Sequence, residues 1–268
     1  MDHVSTFQRI DTSGWRLGFG NLFHKEIGEW VEPRRWLLQI ILWAIMLNGF
    51  LAAVLFIVPN IVPPDGEAAI QNPIVDGVIG FFGLGGLALS VGIIILNQNE
   101  IIGEKQTGTA EWVLSKPASR SAFYLSKLIA NVIGMLVVMI LAPCVTAYAL
   151  IAIVDPVAVS LPAFLIGVGM LALHVFFYLS LTLLMGVLAS SREMVLGVTL
   201  GTLFIGMIAR DFIGPLALLT PWLLSDLAGV VAIGEPLGLE MWLPVISTVA
   251  WSFVFTAIAL WKFRQHEF

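Results

Sequence analysis

Six long apolar stretches, separated by polar segments, dominate the pattern along the 268-residue chain. A helix that crosses about 30 Å of hydrocarbon needs roughly 20 mostly apolar residues, and each stretch is long enough in a window of about 19 residues. The pattern therefore predicts an all-α polytopic membrane protein. Its six transmembrane helices are predicted at 36–58, 74–96, 123–154, 162–189, 194–213 and 241–261.

A further apolar segment, residues 215–231, precedes the sixth predicted span. Pro215, Pro221 and Asp226 interrupt it, and prolines break helices while a carboxylate inside hydrocarbon is costly. We expect a re-entrant or interfacial segment on the outer side, not a seventh span.

The composition agrees with a chain whose main solvent is lipid. Hydrophobic residues make up 59% and charged residues 12%, against about 25% charged residues in soluble domains, and the mean hydropathy is +0.96. The net charge of −5 argues against a nucleic-acid partner. The single cysteine, Cys144, excludes a disulfide framework within the chain and a metal site built on cysteines.

The basic residues predict the orientation, because Lys and Arg stay on the cytoplasmic side. With six spans, twelve of the 13 Lys and Arg residues lie on one side, and the loops of the other side carry acidic residues. Seven spans would put the basic C-terminal tail outside. We expect a multi-pass protein of the inner (plasma) membrane with both termini cytoplasmic and no cleavable signal peptide.

Residues 1–35 are predicted to form a cytoplasmic N-terminal segment, and residues 36–268 the transmembrane domain. Within the first, 21–35 has the pattern of an amphipathic interfacial helix. It either anchors the chain to the membrane surface only or also helps to dock a cytoplasmic partner. The apolar positions at helical spacing are Phe23, Ile27, Trp30 and Val31, and the charged positions off that stripe are Lys25, Glu26 and Glu29.

The loop between the second and third spans, 98–122, is long for a plain connection. Thr109 can cap a short helix, Glu111 lies in its first turn and Pro117 ends it, while Ser119 or Ser121 can start the next helix. The loop therefore has the character of a contact surface beneath the membrane.

This loop resembles the signature of ABC-2 type transporter permeases, which read E-x-x-x-G-T-x-E-x-L-L-S-x-P-[VI]-S-R followed by G-K. Trp112-Val113 replaces the usual aliphatic pair, and Ser126 replaces the glycine before Lys127. The segment 219–226 is similar to the outer Pro-aromatic segment of that family, so the resemblance extends over nearly the whole chain. The matching residues are Glu100, Gly103, Glu104, Gly108, Thr109, Glu111, Leu114, Ser115, Pro117, Ser119, Arg120 and Lys127.

The resemblance implies a permease that forms the translocation path with a second copy of itself, driven by two cytoplasmic ATP-binding cassette subunits. It makes the loop helix a coupling helix that docks on the ATPase, although Trp112 alone also fits a membrane-interface aromatic residue. The chain has no G-x-x-x-x-G-K-[ST] motif, so it is expected to bind no cofactor and to be no enzyme, with ATP and Mg on the partner. The implied coupling residues are Glu104, Gly108, Thr109, Glu111, Trp112, Leu114, Pro117 and Arg120.

Four polar residues in or beside the spans are candidates for the pore or for helix packing. Asn48 and His174 fall near the middle of spans one and four, where each lines a path or forms an inter-helix hydrogen bond. Arg210-Asp211 lies at the outer end of span five, as a charge pair that anchors the re-entrant segment or lines the exit.

Two other classes of function compete with the ABC permease. An intramembrane enzyme would need Ser90 and His174 to pair as nucleophile and base, but no G-x-S-x-G motif surrounds Ser90. A secondary carrier would need ionisable groups at the midplane, where His174 is the only candidate. Export of an amphipathic compound is an expectation by analogy, and the sequence does not identify the substrate.

Overall fold

The computed structural model describes residues 17–61, 72–109, 112 and 118–265. The regular structure in these residues is helical throughout. The helices are α1 (Phe19–Val31), α2 (Pro33–Ile61), α3 (Pro73–Asn97), α4 (Ile102–Gln106), α5 (Arg120–Val154), α6 (Leu161–Leu188), α7 (Arg192–Ala209), α8 (Leu224–Ala232) and α9 (Leu243–Gln265).

Six of the described helices are long and apolar enough to cross a membrane, as predicted. The fifth, α7, ends four residues before its predicted end at 213. Gly214 adopts a positive φ of 56° and Pro215 follows it, and together they turn the chain away from the helix axis.

Helix α6 is the centre of the bundle. In its most apolar stretch 67% of the residues are buried, against 22% in α7 and in the span that contains α9. It packs against α3, α8 and α9, while the exposed apolar faces of α7 and α9 are suited to lipid. Helix α6 is therefore the most deeply buried of the six spans.

The segment before α9 folds back onto the bundle and does not cross it. Two 3₁₀ turns, Gly214–Leu219 and Pro221–Leu223, lead into the short helix α8, which packs against α3 and α6. The prolines at 215 and 221 explain the short turns because neither ring can continue a helix. The expected location of this segment in the outer half of the membrane remains a prediction.

Two prolines coincide with π-helical stretches in the long spans. A π-helical segment, Met135–Leu141, immediately precedes the turn that contains Pro143 in α5. Another, Ala53–Ile57, precedes Pro59 in α2. A proline has no N–H for the helical ladder, and π-bulges are one way in which helices absorb such a defect.

Three tryptophans pack on glycines of neighbouring helices. A Cβ atom at any of the three glycines would lie under 3.0 Å from the indole, so only glycine permits the approach. The pairs are Trp30 with Gly134, Trp43 with Gly92 and Trp222 with Gly206.

The glycines of α3 serve contacts between helices of one chain. Gly77 faces Leu51, Gly80 faces Phe50 and Gly86 faces Ser225. Small residues in membrane helices allow this kind of close approach between helices.

Candidate coupling site

One end of the bundle carries most of the described charged contacts, and we call it the terminal face. It is formed by α1, residues 97–109, the first turns of α5, the loop 188–192 and the last turns of α9. Segments far apart in sequence meet there because polar side chains at helix ends find partners that the apolar spans cannot supply.

A buried ammonium group lies at the centre of this face. Lys127 on α5 is 2% exposed. Its Nζ lies 3.0 and 3.1 Å from the two carboxylate oxygens of Glu26, 3.1 Å from Glu100 Oε2 and 3.2 Å from Glu104 Oε1. A charge this deeply buried is costly unless it is paired and hydrogen-bonded, and here three carboxylates from α1 and from 100–104 pair with it. We call these four residues with Lys25 the charge cluster.

Lys25 completes the charge cluster on its exposed side. Its Nζ donates to Glu104 Oε1 at 2.8 Å and to Glu26 Oε1 at 3.3 Å. Partial burial lowers the pKa of Lys25, but the Glu104 hydrogen bond and the two carboxylate charges outweigh burial and raise it above 10.5. The raised pKa means that this stabilisation is fully present below pH 10.5 and is lost only as the pH rises through the folded-state pKa.

The loop after α3 also holds the junction between α6 and α7. Lys105 Nζ donates to the carbonyls of Val187 and Ala189 at 2.8 and 3.3 Å. These carbonyls end α6, where the helix leaves them unpaired and carries partial negative charge. Arg192 at the start of α7 donates to Gln98 at 2.9 Å, so the loop contacts both helices.

The start of α5 is tied to the end of α9. Arg120 donates to the Arg264 carbonyl at 2.7 Å, and Arg264 Nε donates to Ser121 Oγ at 2.9 Å. Ser119 caps α5, since its Oγ accepts a hydrogen bond from the Ala122 N–H at 3.0 Å. Of the two serines that the sequence offered as the start of this helix, Ser119 is therefore the cap. The last described turns of the chain are therefore joined to the start of α5 by two hydrogen bonds.

The helix α1 packs against α5, and a charged residue lies on its buried face. Glu26, one of the charged positions off the apolar stripe, is buried against Lys127, while Val31 on the stripe is 60% exposed. Trp30 does contact the bundle, and its Nε1–H donates to Asn131 Oδ1 at 2.9 Å. A charge pair therefore holds this helix to the bundle, and the predicted contact of its apolar stripe with the membrane surface remains a prediction.

The structure places five of the eight predicted coupling residues. Glu104 belongs to the charge cluster and joins the loop to Lys25 and Lys127. Gly108 has a φ of 71°, and its carbonyl accepts from the Trp112 N–H at 3.1 Å, a helical bond. Thr109 Oγ1 lies 2.9 Å from Thr107 Oγ1, and the Trp112 side chain is 62% exposed. The fifth, Arg120, contacts α9 as described above, and Glu111, Leu114 and Pro117 lie outside the described residues.

The predicted midplane residues form inter-helix hydrogen bonds. Asn48 Nδ2 donates to the Pro143 carbonyl at 3.2 Å, which joins α2 to α5 at the proline. His174 Nδ1 lies 3.1 Å from the Pro221 carbonyl and joins α6 to the folded-back segment. Ser90, fully buried, has no hydrogen-bond partner among the described residues, so it does not pair with His174 as an intramembrane hydrolase would require.

Arg210 anchors the folded-back segment as expected, but through a different carboxylate. Its guanidinium pairs closely with Asp226 and donates to the Trp222 carbonyl at 3.1 Å. Asp211 lies 3.8 Å away and is 73% exposed. Asp211 lies beyond the end of α7 and is mostly in solvent, so Asp226 and not the adjacent residue is the closer partner of Arg210.

We expect Asp226→Asn to lower the apparent melting temperature of the purified protein by a few degrees. The substitution removes the counter-charge of Arg210, and partial exposure limits the loss to about 1 kcal/mol. Asp211→Asn is the matched control and is expected to leave the melting temperature unchanged. Equal shifts for the two variants would contradict the assignment of Asp226 as the partner.

No described group of three or more His, Cys, Asp and Glu side chains is arranged to hold a metal ion. The charge cluster has two lysines and three carboxylates, and its ion pairs hold α1, residues 100–104 and α5 together. Of its members, sequence reasoning had singled out Glu100, Glu104 and Lys127, and it missed the inward role of Lys25 and Glu26. The sequence did contain a signal for this pairing, because Lys127 is followed by the apolar residues of the third span. A cation at the start of a membrane span needs a carboxylate as its partner.

Six helices long and apolar enough to cross a membrane, with a charged face at one end, define a multi-pass membrane protein. A family model described as ABC-2 family transporter protein matches residues 21–268. The chain therefore belongs to that family and is a permease subunit of an ABC transporter. None of the curated proteins matches the chain.

Proposed function

We propose that this permease is an exporter subunit whose terminal face docks a separate cytoplasmic ATP-binding subunit. The docking segment is the loop around Gly108, Trp112 and Pro117, with α1 as a second contact. Two ATP-binding subunits, which hold ATP and Mg, act on a pair of permeases. The permease lies in the inner (plasma) membrane, and both of its termini are cytoplasmic.

The connections of this loop are the observation that carries the proposal. Residues 97–109 contact α1 and α5 through the charge cluster and contact the α6–α7 junction through Lys105. Arg120, where the loop enters α5, contacts α9. A displacement of this segment would therefore be passed to helices on several sides of the bundle. A docked ATP-binding subunit needs such connections if its movements are to change the arrangement of the spans.

Exposure and charge support the docking segment. Trp112 presents a large aromatic surface of the kind that dominates interface energies. Glu104, by contrast, is engaged with Lys25 and Lys127. We therefore assign it a positioning role behind the interface, while Trp112 and Glu111 make the contact.

Co-purification tests the docking. The candidate partner is a soluble Walker-A ATPase, sought in the reading frames beside the permease gene, co-expressed with the tagged permease and captured from a mild detergent. The doubly substituted Glu111→Gln, Trp112→Ala permease is expected to retain less than about a tenth of the ATPase, consistent with a loss of at least 1.4 kcal/mol at an aromatic hot spot.

The control for co-purification is Trp242→Ala, another exposed tryptophan, near the start of α9 and away from the terminal face. It is expected to capture the ATPase as the unchanged permease does. Full capture by the doubly substituted permease would refute the docking segment. Transport by vesicles that contain the permease alone would refute ATP-driven export altogether.

A further inference from the structure

A cavity of about 130 Å³ lies at the terminal face, between the end of α1 and the start of α2. Residues of α3, of α5 and of the loop after α3 complete its wall. Two exposed side chains, Glu29 and Arg35, also line it. An engineered apolar cavity of about 150 Å³ binds benzene, so this one has room for a group of about five non-hydrogen atoms.

The cavity lies where α2 changes from charged to apolar. Arg35 on its wall is followed by Trp36, which lines the cavity as well, and then by exposed apolar side chains. Tryptophan is enriched where lipid head groups meet the hydrocarbon, so a ligand in this cavity can keep an apolar part in the bilayer. The exposed apolar side chains of this stretch are Leu37, Leu38, Ile41 and Leu42.

Two carboxylates on the cavity wall lack a full counter-charge. Glu29 is exposed and forms no ion pair with another described residue. Glu100 Oε2 accepts from Lys127 at 3.1 Å, while its Oε1 is accessible and has no hydrogen-bond partner in the described part of the chain. Because the charge cluster already has more carboxylates than ammonium groups, a cation in the cavity would be stabilised by both glutamates.

The same cavity also has a cation that can bind an anionic group. Arg35 Nε lies 3.0 Å from Glu32 Oε2, and both side chains are more than half exposed, so this pair is weak. The two Nη nitrogens of Arg35 have no partner among the described residues. A guanidinium with free N–H groups is suited to bind a phosphate. The wall therefore complements a zwitterion, with an ammonium beside the glutamates and a phosphate beside Arg35.

The glutamates favour a primary ammonium over a quaternary one. Carboxylate oxygens accept N–H hydrogen bonds, which a trimethylammonium cannot donate, and its three methyl groups would need more of the small cavity. The indoles of Trp30 and Trp36 line the cavity too, and indoles attract ammonium groups of either kind. The hydrogen bonds therefore set the preference between the two cations.

We propose that this cavity binds the head group of a phospholipid that ends in a primary ammonium, as phosphatidylethanolamine does. The ammonium donates to Glu29 and Glu100, the phosphate lies beside Arg35, and the acyl chains lie along the exposed apolar face of α2. Such a lipid links α1 to the first span and to the loop after α3. The site lies within one subunit and does not depend on the ATPase docking proposed above.

Native mass spectrometry of the full-length permease in detergent tests the site. The probes are dioleoylphosphatidylethanolamine, dioleoylphosphatidylcholine and dioleoylphosphatidylglycerol, which share their acyl chains and differ only in the head group. The first ethanolamine lipid is expected to bind at least about ten-fold more tightly than either of the others, the effect of one or two charge-assisted hydrogen bonds. Equal affinities for the ethanolamine and choline lipids would overturn the head-group assignment.

Changes at Glu29 test the carboxylate wall, and its exposed position means that they leave the core of the bundle intact. Glu29→Gln should reduce the preference for the ethanolamine lipid roughly three- to ten-fold. Glu29→Lys should reverse it in favour of the glycerol lipid, because the new ammonium repels one head group and attracts the other. Glu193→Gln, at an exposed position at the start of α7 and outside the cavity, is the control and should keep the preference. An unchanged preference in both Glu29 variants would overturn the site.

Arg35→Gln tests the phosphate contact separately. It should weaken the ethanolamine and choline lipids by a similar factor, roughly three- to ten-fold, because both carry the phosphate. The preference between the two should persist, since the glutamates remain. Unchanged binding of both lipids would contradict the phosphate contact.

Phosphoethanolamine, the soluble head group, separates a lipid from a free zwitterion. It lacks the acyl chains that supply most of a lipid's affinity, so we expect it not to displace the ethanolamine lipid at about a hundred-fold excess. Full displacement at equal concentration would assign the cavity to a soluble molecule and overturn the lipid assignment. All of these measurements use the permease alone, so their failure would leave the ATPase docking untouched.

Discussion

Lys127→Met is expected to destabilise the permease more than any other single change of a charged residue on the terminal face. It leaves Glu26, Glu100 and Glu104 in a partly or fully buried cluster with only Lys25 to balance them. Breaking a buried ion pair from one side costs about 3–5 kcal/mol because the remaining charges are uncompensated. The apparent melting temperature should fall by on the order of 10 °C.

The matched control for this loss is Lys25→Met, which removes the other ammonium of the same cluster. Lys25 is half exposed, so solvent screens its interactions and the loss should stay below about 1 kcal/mol. Adding Glu26→Gln to Lys127→Met should restore part of the stability, because one stranded carboxylate is removed. Equal losses for the two lysine variants would show that burial of Lys127 has no energetic consequence.

Gly134→Ala is expected to dislodge α1 from the bundle. The added Cβ would lie under 3.0 Å from three atoms of the Trp30 indole, so the ring has to move and its hydrogen bond to Asn131 breaks. Overpacking of this kind costs about 1–3 kcal/mol, and a lost hydrogen bond about 1 kcal/mol more. Limited proteolysis should cut the N-terminal segment faster, and ATPase capture should decrease with it.

Gly28→Ala is the control within α1 itself. A Cβ there has no neighbour within 4 Å, and alanine favours a helix over glycine by up to about 1 kcal/mol. This variant should be as resistant to proteolysis as the unchanged protein, or more so. If both glycine variants behave alike, close packing of Trp30 does not hold α1 in place.

The sequence predicts the architecture well because a membrane span depends only on the length and apolarity of one continuous stretch of residues. Length and apolarity alone place six helices, and local chemistry places the Ser119 cap at the start of α5. The resemblance of the loop to ABC-2 permeases agrees with the family to which the chain belongs. These features depend on neighbours in sequence or on the solvent.

Pairings across the bundle were not predictable in the same way. Arg210 pairs with Asp226 and not mainly with the adjacent Asp211, and Glu26 turns inward to a lysine 101 positions away. The indole–glycine contacts likewise depend on the register between helices. Three residues that the resemblance assigns to coupling, Glu111, Leu114 and Pro117, lie outside the described residues, so their contacts remain predictions.

The long separation between Glu26 and Lys127 sets an order for assembly during synthesis. The helix α1 leaves the ribosome about 100 residues before the lysine that it buries, and chains are made N-terminus first. Its carboxylate therefore stays hydrated while the first two spans are inserted. The helix α1 can pack against α5 only after the start of the third span, which carries Lys127, has emerged. Until then the N-terminal segment of the nascent chain lacks this contact.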